Sequence, residues 1–353
     1  MRTSRLDQVV PILHSGDAVG VHTLHVRDLL REHGVESEIF TVLPDPRTAT
    51  LTRPLRELGP GPVLYQMAVV SEAAGLLLER GRPFAIDYHN ITPPRFFAAW
   101  DQALSAATGA GRRQLKELAP ASALAIGDSS FNAQDLVAAG APRAEVAPVL
   151  FDVEHLGSPD AGALARLVET KGPGRADWLF VGRVVPNKAQ HDLILAFARF
   201  RRHVASDARL FVVGTAASTR YASALARLRT SLALSDAVHF VGEAAPEMLA
   251  AHYAAADVFV CLSDHEGFCV PVIEAMHHGV PVVAYRSSAV AETMGDGGVL
   301  LEAKDPCTVA TAVAEALAGR DRLVQAGSER ALSFALGVTR PRMWAVLEEW
   351  ISR

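Results

Sequence analysis

The apolar run Val258-Phe-Val-Cys-Leu262 constrains the 353-residue chain more than any other stretch. Five apolar residues without polar alternation describe a strand buried on both faces, as in a parallel sheet. Ser263-Asp264 closes the run, Gly267 permits a sharp turn, and Pro271 stands where a helix accepts its first residue. Glu274, Ala275 and Met276 carry the helix on until Gly279 and Pro281 stop it, and Val280–Tyr285 is the next strand. A helix that starts at the end of a parallel strand turns unpaired amides outward, which makes an anion site. Glu266 in the turn repels a phosphate but suits neutral hydroxyls beside one, as a sugar offers. Taken alone, Glu266 and Glu274 equally describe a capped, solvated helix start.

The same alternation of strand and helix runs through the chain. Apolar runs at Val9–Leu13, Val35–Leu43, Pro62–Met67, Pro83–Tyr88, Ala123–Ile126 and Glu145–Leu150 read as strands of a first domain. Helices fall between them at His22–Gly34, Ser71–Glu79 and Ala133–Ala139. A loop, Ser15-Gly16-Asp17-Ala-Val-Gly20, follows the first strand and lacks the G-x-G-x-x-G pattern of a dinucleotide fold. Residues 151–175 lose periodicity and collect Gly, Pro, Asp and Ser, which reads as a linker. A second set of strands and helices opens at Asp177, and an amphipathic helix, Pro341–Trp350, ends the chain. Strands alternating with helices call for a parallel sheet in each half. The expected division is 1–150, a linker 151–175, 176–335, and a terminal helix 336–353 packing back on the first domain.

Composition narrows the function classes. A net charge of −5 and the lack of a Lys/Arg-rich arm exclude a nucleic-acid footprint. Cys261, Cys269 and Cys307 lack CxxC spacing and read as reduced thiols, neither disulfides nor zinc ligands. No secretory leader or membrane-length run is evident, so a cytoplasmic protein is expected. Arg112, Arg113 and Lys116 on one helix offer at most a weak peripheral membrane contact.

Two motifs carry a resemblance. Glu266-Gly-Phe-Cys-Val-Pro-Val-Ile-Glu274, followed by Gly279-Val-Pro-Val-Val, closely resembles the Glu-x7-Glu motif of retaining glycosyltransferases of family 4. Phe180-Val-Gly182-Arg183-Val-Val-Pro-Asn-Lys188 resembles the family's Gly-Arg…Lys motif. The likeness spans roughly residues 176–317 and implies a GT-B fold, two Rossmann-like domains with parallel sheets facing a cleft. It implies a nucleotide-diphosphate sugar as donor, with Arg183 and Lys188 on the diphosphate and Glu274 at the ribose. Glu266 then faces the sugar, and Gly182, Gly267, Phe268, Cys269 and Val270 line the donor site. Gly16 is carried over to the donor phosphates, and His89, at a strand end before Asn90 and two prolines, to the donor sugar. The acceptor implied is a glycan, a lipid-linked molecule or a small molecule, with cell-surface polysaccharide synthesis as the expected setting.

Cys269 stands where the family most often has glycine, and Ser15-Gly16 replaces paired glycines. A secondary-metabolite glycosyltransferase, a nucleotide-sugar epimerase on the same fold and a non-catalytic nucleotide-sugar binder remain as alternatives. No cofactor is expected beyond the donor. The chain has no Asp-x-Asp triplet to hold Mg²⁺ or Mn²⁺ against a diphosphate, and the cations at 183 and 188 suffice for that charge. Turnover is therefore expected to survive EDTA; activity lost to the chelator and restored by Mn²⁺ overturns the expectation.

Overall fold

A computed structural model describes residues 5–14, 16–171 and 175–352. Ser15 of the glycine loop and residues 172–174 of the expected linker lie outside the described residues. Contacts divide the chain into two units. The first comprises residues up to Arg95, Gln102–Asp152 and Ala335 onward; the second comprises Phe96–Asp101 and Val153–Phe334.

In the first unit β1 (Asp7–Val10), α1 (Ala18–Glu32), β2 (Ile39–Thr41), β3 (Arg53–Pro54) and β4 (Val63–Met67) come in chain order. There follow α2 (Ala73–Glu79), β5 (Phe84–Tyr88), α3 (Gln102–Leu118), β6 (Leu124–Gly127), α4 (Ser130–Ala138) and β7 (Ala144–Val146). These strands form a parallel sheet in the order β3-β2-β1-β4-β5-β6-β7. Its central strands are buried along their whole length, which is why they read as unbroken apolar runs.

The second unit runs α5 (Ala161–Glu169), β8 (Asp177–Val181), α6 (Gln190–His203), β9 (Arg209–Val213), α7 (Thr219–Ser231), β10 (Val238–Gly242) and α8 (Pro246–Ala255). It continues β11 (Val258–Cys261), α9 (Val270–His277), β12 (Val282–Tyr285), α10 (Val290–Met294), β13 (Val299–Leu301), α11 (Pro306–Ala318) and α12 (Arg320–Leu332). Its parallel sheet has the order β10-β9-β8-β11-β12-β13. The last helix, α13 (Leu336–Ile351), belongs to the first unit.

Several elements differ from the sequence expectation. The segment expected as a linker carries α5, a short helix with Leu164, Leu167 and Val168 at helical spacing that buries only Ala163 and stands between Gly- and Pro-bearing stretches. Helix α12 is also absent from the sequence expectation. Its Gly327 lies so close to Met276 that an added Cβ would stand 3.1 Å from Met276 Cγ, so a side chain missing from the sequence seats it against α9. Phe96 and Trp100, inside the expected first domain 1–150, belong to the second unit, where Trp100 meets Tyr221 edge-on at 5.1 Å. Among the described residues no helix is long and apolar enough to cross a membrane.

Helix α13 buries Met343, Leu347 and Ile351, spaced at four residues, against Leu6, Val26, Leu29 and Leu30. Truncating fully buried Leu347 to Ala is expected to cost about 2–5 kcal/mol, because the site loses apolar contact and keeps a cavity. The same change at Leu332, 66% exposed, is expected to leave the urea midpoint unmoved. Equal effects of the two substitutions would show that α13 adds no core to the first unit.

Candidate active site

The order of the second sheet positions the site. The chain runs outward from β8 through β9 to β10, then returns to pair β11 on the free side of β8. Open parallel sheets bind ligands at the carboxyl ends of the two strands that flank such a reversal. The two loops that leave β8 and β11 there hold the Gly-Arg…Lys and Glu-x7-Glu residues.

Gly182, at φ +148°, turns the chain out of β8 in a conformation open to glycine. The loop after β8 is stitched to the loop after β11 by Asp264 N–H donating to Asn187 O at 2.8 Å and Asn187 Nδ2 donating to His265 O at 3.1 Å. Across this seam Lys188 Nζ donates to both carboxylate oxygens of Glu266 at 2.6 Å. The side chains are 17% and 8% exposed, so the pair is largely out of water. Burial pulls the Lys188 ammonium down, but the Glu266 charge outweighs it and holds Lys188 above the usual lysine range. Glu266 N–H donates to Ser288 Oγ at 2.7 Å, and Thr293 donates to Phe268 O, so the loop after β12 and helix α10 brace the turn. Arg183 is exposed and makes no ion pair or side-chain hydrogen bond among the described residues. It leaves a free guanidinium fork at the carboxyl edge of β8.

Helix α9 begins at Val270, after Cys269 at φ +82°, ψ +62°. That left-handed conformation costs a residue with a side chain about 1–3 kcal/mol, which accounts for the glycine usual in the resembling motif. Pro271 lies in the first turn, where its missing N–H leaves no bond unmade. Glu274, one turn on, is 5% exposed and accepts from Tyr253 OH at 2.7 Å, while its other oxygen lies 3.4 Å from His155 Nε2. Burial raises the Glu274 carboxyl, against the hydrogen bond from Tyr253. Tyr253, His155 and Ser288 are partners that no sequence motif marked; they lie in a helix, a loop and a turn of ordinary composition.

The remaining candidates, Gly16 and His89, belong to the first unit. Nothing lies within 4 Å of a Cβ added at Gly16. Gly20 is the sterically required glycine of that loop, since a Cβ there would overlap His14 O at 1.7 Å. Asp17 caps α1 by accepting from Gly20 N–H at 2.7 Å.

His89 sits just past β5 in a buried polar chain. Gln8 Nε2 donates to Thr23 O at 3.0 Å, which leaves Gln8 Oε1 to accept from Gln66 Nε2 at 2.9 Å. Gln66 Oε1 then faces His89 Nε2 at 2.6 Å, so that nitrogen must donate. The other nitrogen, Nδ1, lies 3.1 Å from both oxygens of Asp128. With acceptors on both sides the ring is held as an imidazolium. Burial opposes the charge, but Asp128 and Asp87 prevail and hold His89 up at about 9. His22 takes the opposite tautomeric duty: Nδ1 accepts from Leu150 N–H at 2.8 Å, and Nε2–H donates to Asp87 at 2.9 Å. His22, Gln66, Asp87 and Asp128 were not singled out from the sequence, where only Asp87, two positions before His89, stood near a candidate.

Residues 165–331 match the family model "Glycosyl transferases group 1", a span that includes Arg183, Lys188, Glu266 and Glu274. The GDP-mannose-dependent alpha-(1-6)-phosphatidylinositol monomannoside mannosyltransferase of Mycolicibacterium smegmatis is 37% identical over 203 residues, 55% of this chain and 49% of that protein. The D-inositol 3-phosphate glycosyltransferase of Geodermatophilus obscurus is 38% identical over 162 residues, 43% of this chain and 35% of that one. The chain thus spans half or less of the length of these two relatives. Among solved structures, Anabaena HepE in complex with UDP and glucose is similar at a TM-score of 0.74 with 19% identity, over 97% of this chain and 99% of that one. Sucrose-phosphate synthase from Thermosynechococcus elongatus gives 0.75 with 20% identity, over 99% of each. These likenesses show the GT-B fold.

The His89 charge is expected to make stability fall at alkaline pH. Its native pKa lies above the ordinary value of about 6.5, so its contribution is complete below that pH and is lost as pH rises through about 9. Urea midpoints of wild type should decline across this window, and His89→Gln should flatten the decline. Parallel pH profiles for the two proteins would assign the slope to other groups.

Proposed function

We propose that the chain is a retaining glycosyltransferase that moves a hexosyl group from a nucleotide-diphosphate sugar to a hydroxyl acceptor without a metal ion. The observation that carries this reading is the pairing of Lys188 with Glu266 across the two switch-point loops, beside the α9 N-terminus and the unpaired Arg183. A cation, a guanidinium fork and free helix amides at one sheet edge suit a diphosphate, and a carboxylate among them suits sugar hydroxyls. The curated relatives support a hexosyl donor, since the mannosyltransferases are named for GDP-mannose. HepE was solved with UDP and UDP-glucose, which supports a nucleotide in this fold. An inositol-containing or lipid-linked glycan is the acceptor class favoured by those relatives' names.

In this reading the diphosphate gains negative charge as its bond to the sugar breaks, and Arg183 and Lys188 stabilise that charge more than the ground state. Entry of the diphosphate draws Lys188 toward phosphate and frees a Glu266 oxygen for a sugar hydroxyl. Glu274, held from one side by Tyr253, offers its other oxygen toward the ribose. Double displacement needs a second carboxylate to act as nucleophile. Asp264, two residues from Glu266, is tied to Lys304 at 2.5 Å. A same-face route, with the departing phosphate taking the acceptor proton, fits better. His89 enters as a positioning residue: with both nitrogens engaged it orders the end of β5 and has no lone pair to act as a base.

Arg183 gives the cleanest test, because nothing in the fold depends on it. Arg183→Ala is expected to weaken nucleoside diphosphate binding roughly ten- to a hundredfold with an unchanged melting temperature, as for a lost charged hydrogen bond. Lys188→Ala should lose similar affinity and also stability, about 3–5 kcal/mol, since it strands a buried carboxylate. Glu274→Gln should weaken donor and free nucleotide alike, and Glu266→Gln should lower turnover far more than free-nucleotide affinity. Calorimetry with nucleoside diphosphates and steady-state kinetics on a panel of nucleotide sugars measure all four. Unchanged affinity in Arg183→Ala, or reversed behaviour of the two Glu variants, would sink the assignment.

A further inference from the structure

Cys261 ends β11 and Cys269 precedes α9, eight residues apart with the Glu266 turn between them. Their sulfurs lie 3.9 Å apart, and both side chains are buried. A Glu266 carboxylate oxygen completes a set in which all three ligand atoms lie within 4.8 Å of one another. Two thiolates on one tetrahedral Zn²⁺, each at about 2.3 Å, stand about 3.8 Å apart, so the sulfurs already have the spacing of one edge of a zinc tetrahedron. A second buried set, His22, Asp87 and His89, has comparable proximity. Its four ring nitrogens are all occupied by Leu150 N–H, Asp87, Asp128 and Gln66. Among the described residues the thiols bond to each other and, from Cys261, to Ser263 Oγ at 3.4 Å and the Ser263 backbone, weak bonds that a metal displaces at little cost.

We propose that Cys261, Cys269 and Glu266 form a binding site for a thiophilic divalent cation such as Zn²⁺, which the remaining tetrahedral position leaves open to water. Binding breaks two S–H bonds, forms two metal–sulfur bonds and releases two protons to the buffer, so affinity rises with pH. Glu266 gives one oxygen to the metal and keeps the other for Lys188. Two thiolates, one carboxylate and one ammonium then leave the assembly around a divalent ion neutral, which a buried site requires. The ion holds the Glu266 carboxylate and so makes the cation an inhibitor of sugar transfer. That consequence alone rests on the donor reading of Lys188 and Glu266.

Cobalt tests the site independently of activity. Titration of the full chain with Co²⁺ under reducing conditions is expected to give thiolate-to-cobalt charge-transfer absorption that saturates at one ion per chain and bleaches on adding Zn²⁺. The band should vanish in Cys261→Ala and in Cys269→Ala, and persist in Cys307→Ala, which removes the exposed thiol. Wild-type protein supplies a check that needs no variant: Zn²⁺ should leave Cys307 as the only cysteine alkylated, as read from intact mass and peptide mapping. A band that survives loss of Cys261 or Cys269, failure of Zn²⁺ to protect the pair, or a metal-free mass two hydrogens lighter on exposure to metal and air, which marks a disulfide, overturns the proposal. If cobalt binds as described but Zn²⁺ leaves turnover of the nucleotide sugar unchanged, the metal site stands and the donor reading of Glu266 fails.

Discussion

The pairing of Lys188 with Glu266 is the constraint on which the second unit's loops depend. Neither charge is tolerable alone at this depth: removing an ion of this size from water costs several kcal/mol, recovered only through close, multiple hydrogen bonds. Nζ at 2.6 Å from both oxygens supplies them. The two loops must therefore stay in register, and the Asn187 bonds to the Asp264 and His265 backbone hold that register whether or not the ammonium is in place. In the proposed function the ammonium trades its carboxylate for a phosphate, which makes the pair a placeholder as well as a brace. Arg183, by contrast, is idle in the fold, which fits a residue kept for a ligand.

The first unit solves a different electrostatic problem. Around His89 a chain of amides passes a fixed orientation from the backbone carbonyl of Thr23 through Gln8 and Gln66 to the imidazole. Each amide can be read in only one way once the carbonyl is placed, so the His89 proton on Nε2 follows from hydrogen-bond sense. Asp128 and Asp87 then stabilise the charge that results. The arrangement makes a rigid cationic strand end, and proton abstraction falls outside what it can do.

Much of the fold was legible in the residues. Central parallel strands are buried on both faces, so Val63–Met67, Phe84–Tyr88 and Val258–Cys261 announce themselves as apolar runs, and glycines or prolines close the helices between them. Edge elements were not legible. The two residues of β3 are too few to show a period, and the nine of α5 stand between Gly- and Pro-bearing stretches that read as linker. Helix α12 depends on Gly327 meeting Met276, a fit of shapes that no pattern within the helix encodes. Residues 96–101 fall within the expected first domain because sequence neighbours are the default partners; the edge contact of Trp100 with Tyr221 lies more than a hundred positions away.

The site divides in the same way. Sequence alone determined that two glycine-bearing loops follow buried strands, that one carries Arg183 and Lys188 and the other Glu266 and Glu274, and that a helix opens between those carboxylates. These are local facts of residue type and spacing. Only the tertiary structure decided that β8 and β11 are neighbours, because sheet order depends on crossovers that no single segment specifies. That adjacency turns Lys188 and Glu266 into a buried pair, while the packing of α8 beside α9 brings Tyr253 to the Glu274 carboxylate. The path of the turn from β11 to α9 sets two cysteines eight residues apart at 3.9 Å, a spacing that in sequence looked like no site at all. The physical reason is range: turn and helix propensities act over a few residues, whereas buried charge and sulfur respond to whatever the sheet order sets beside them.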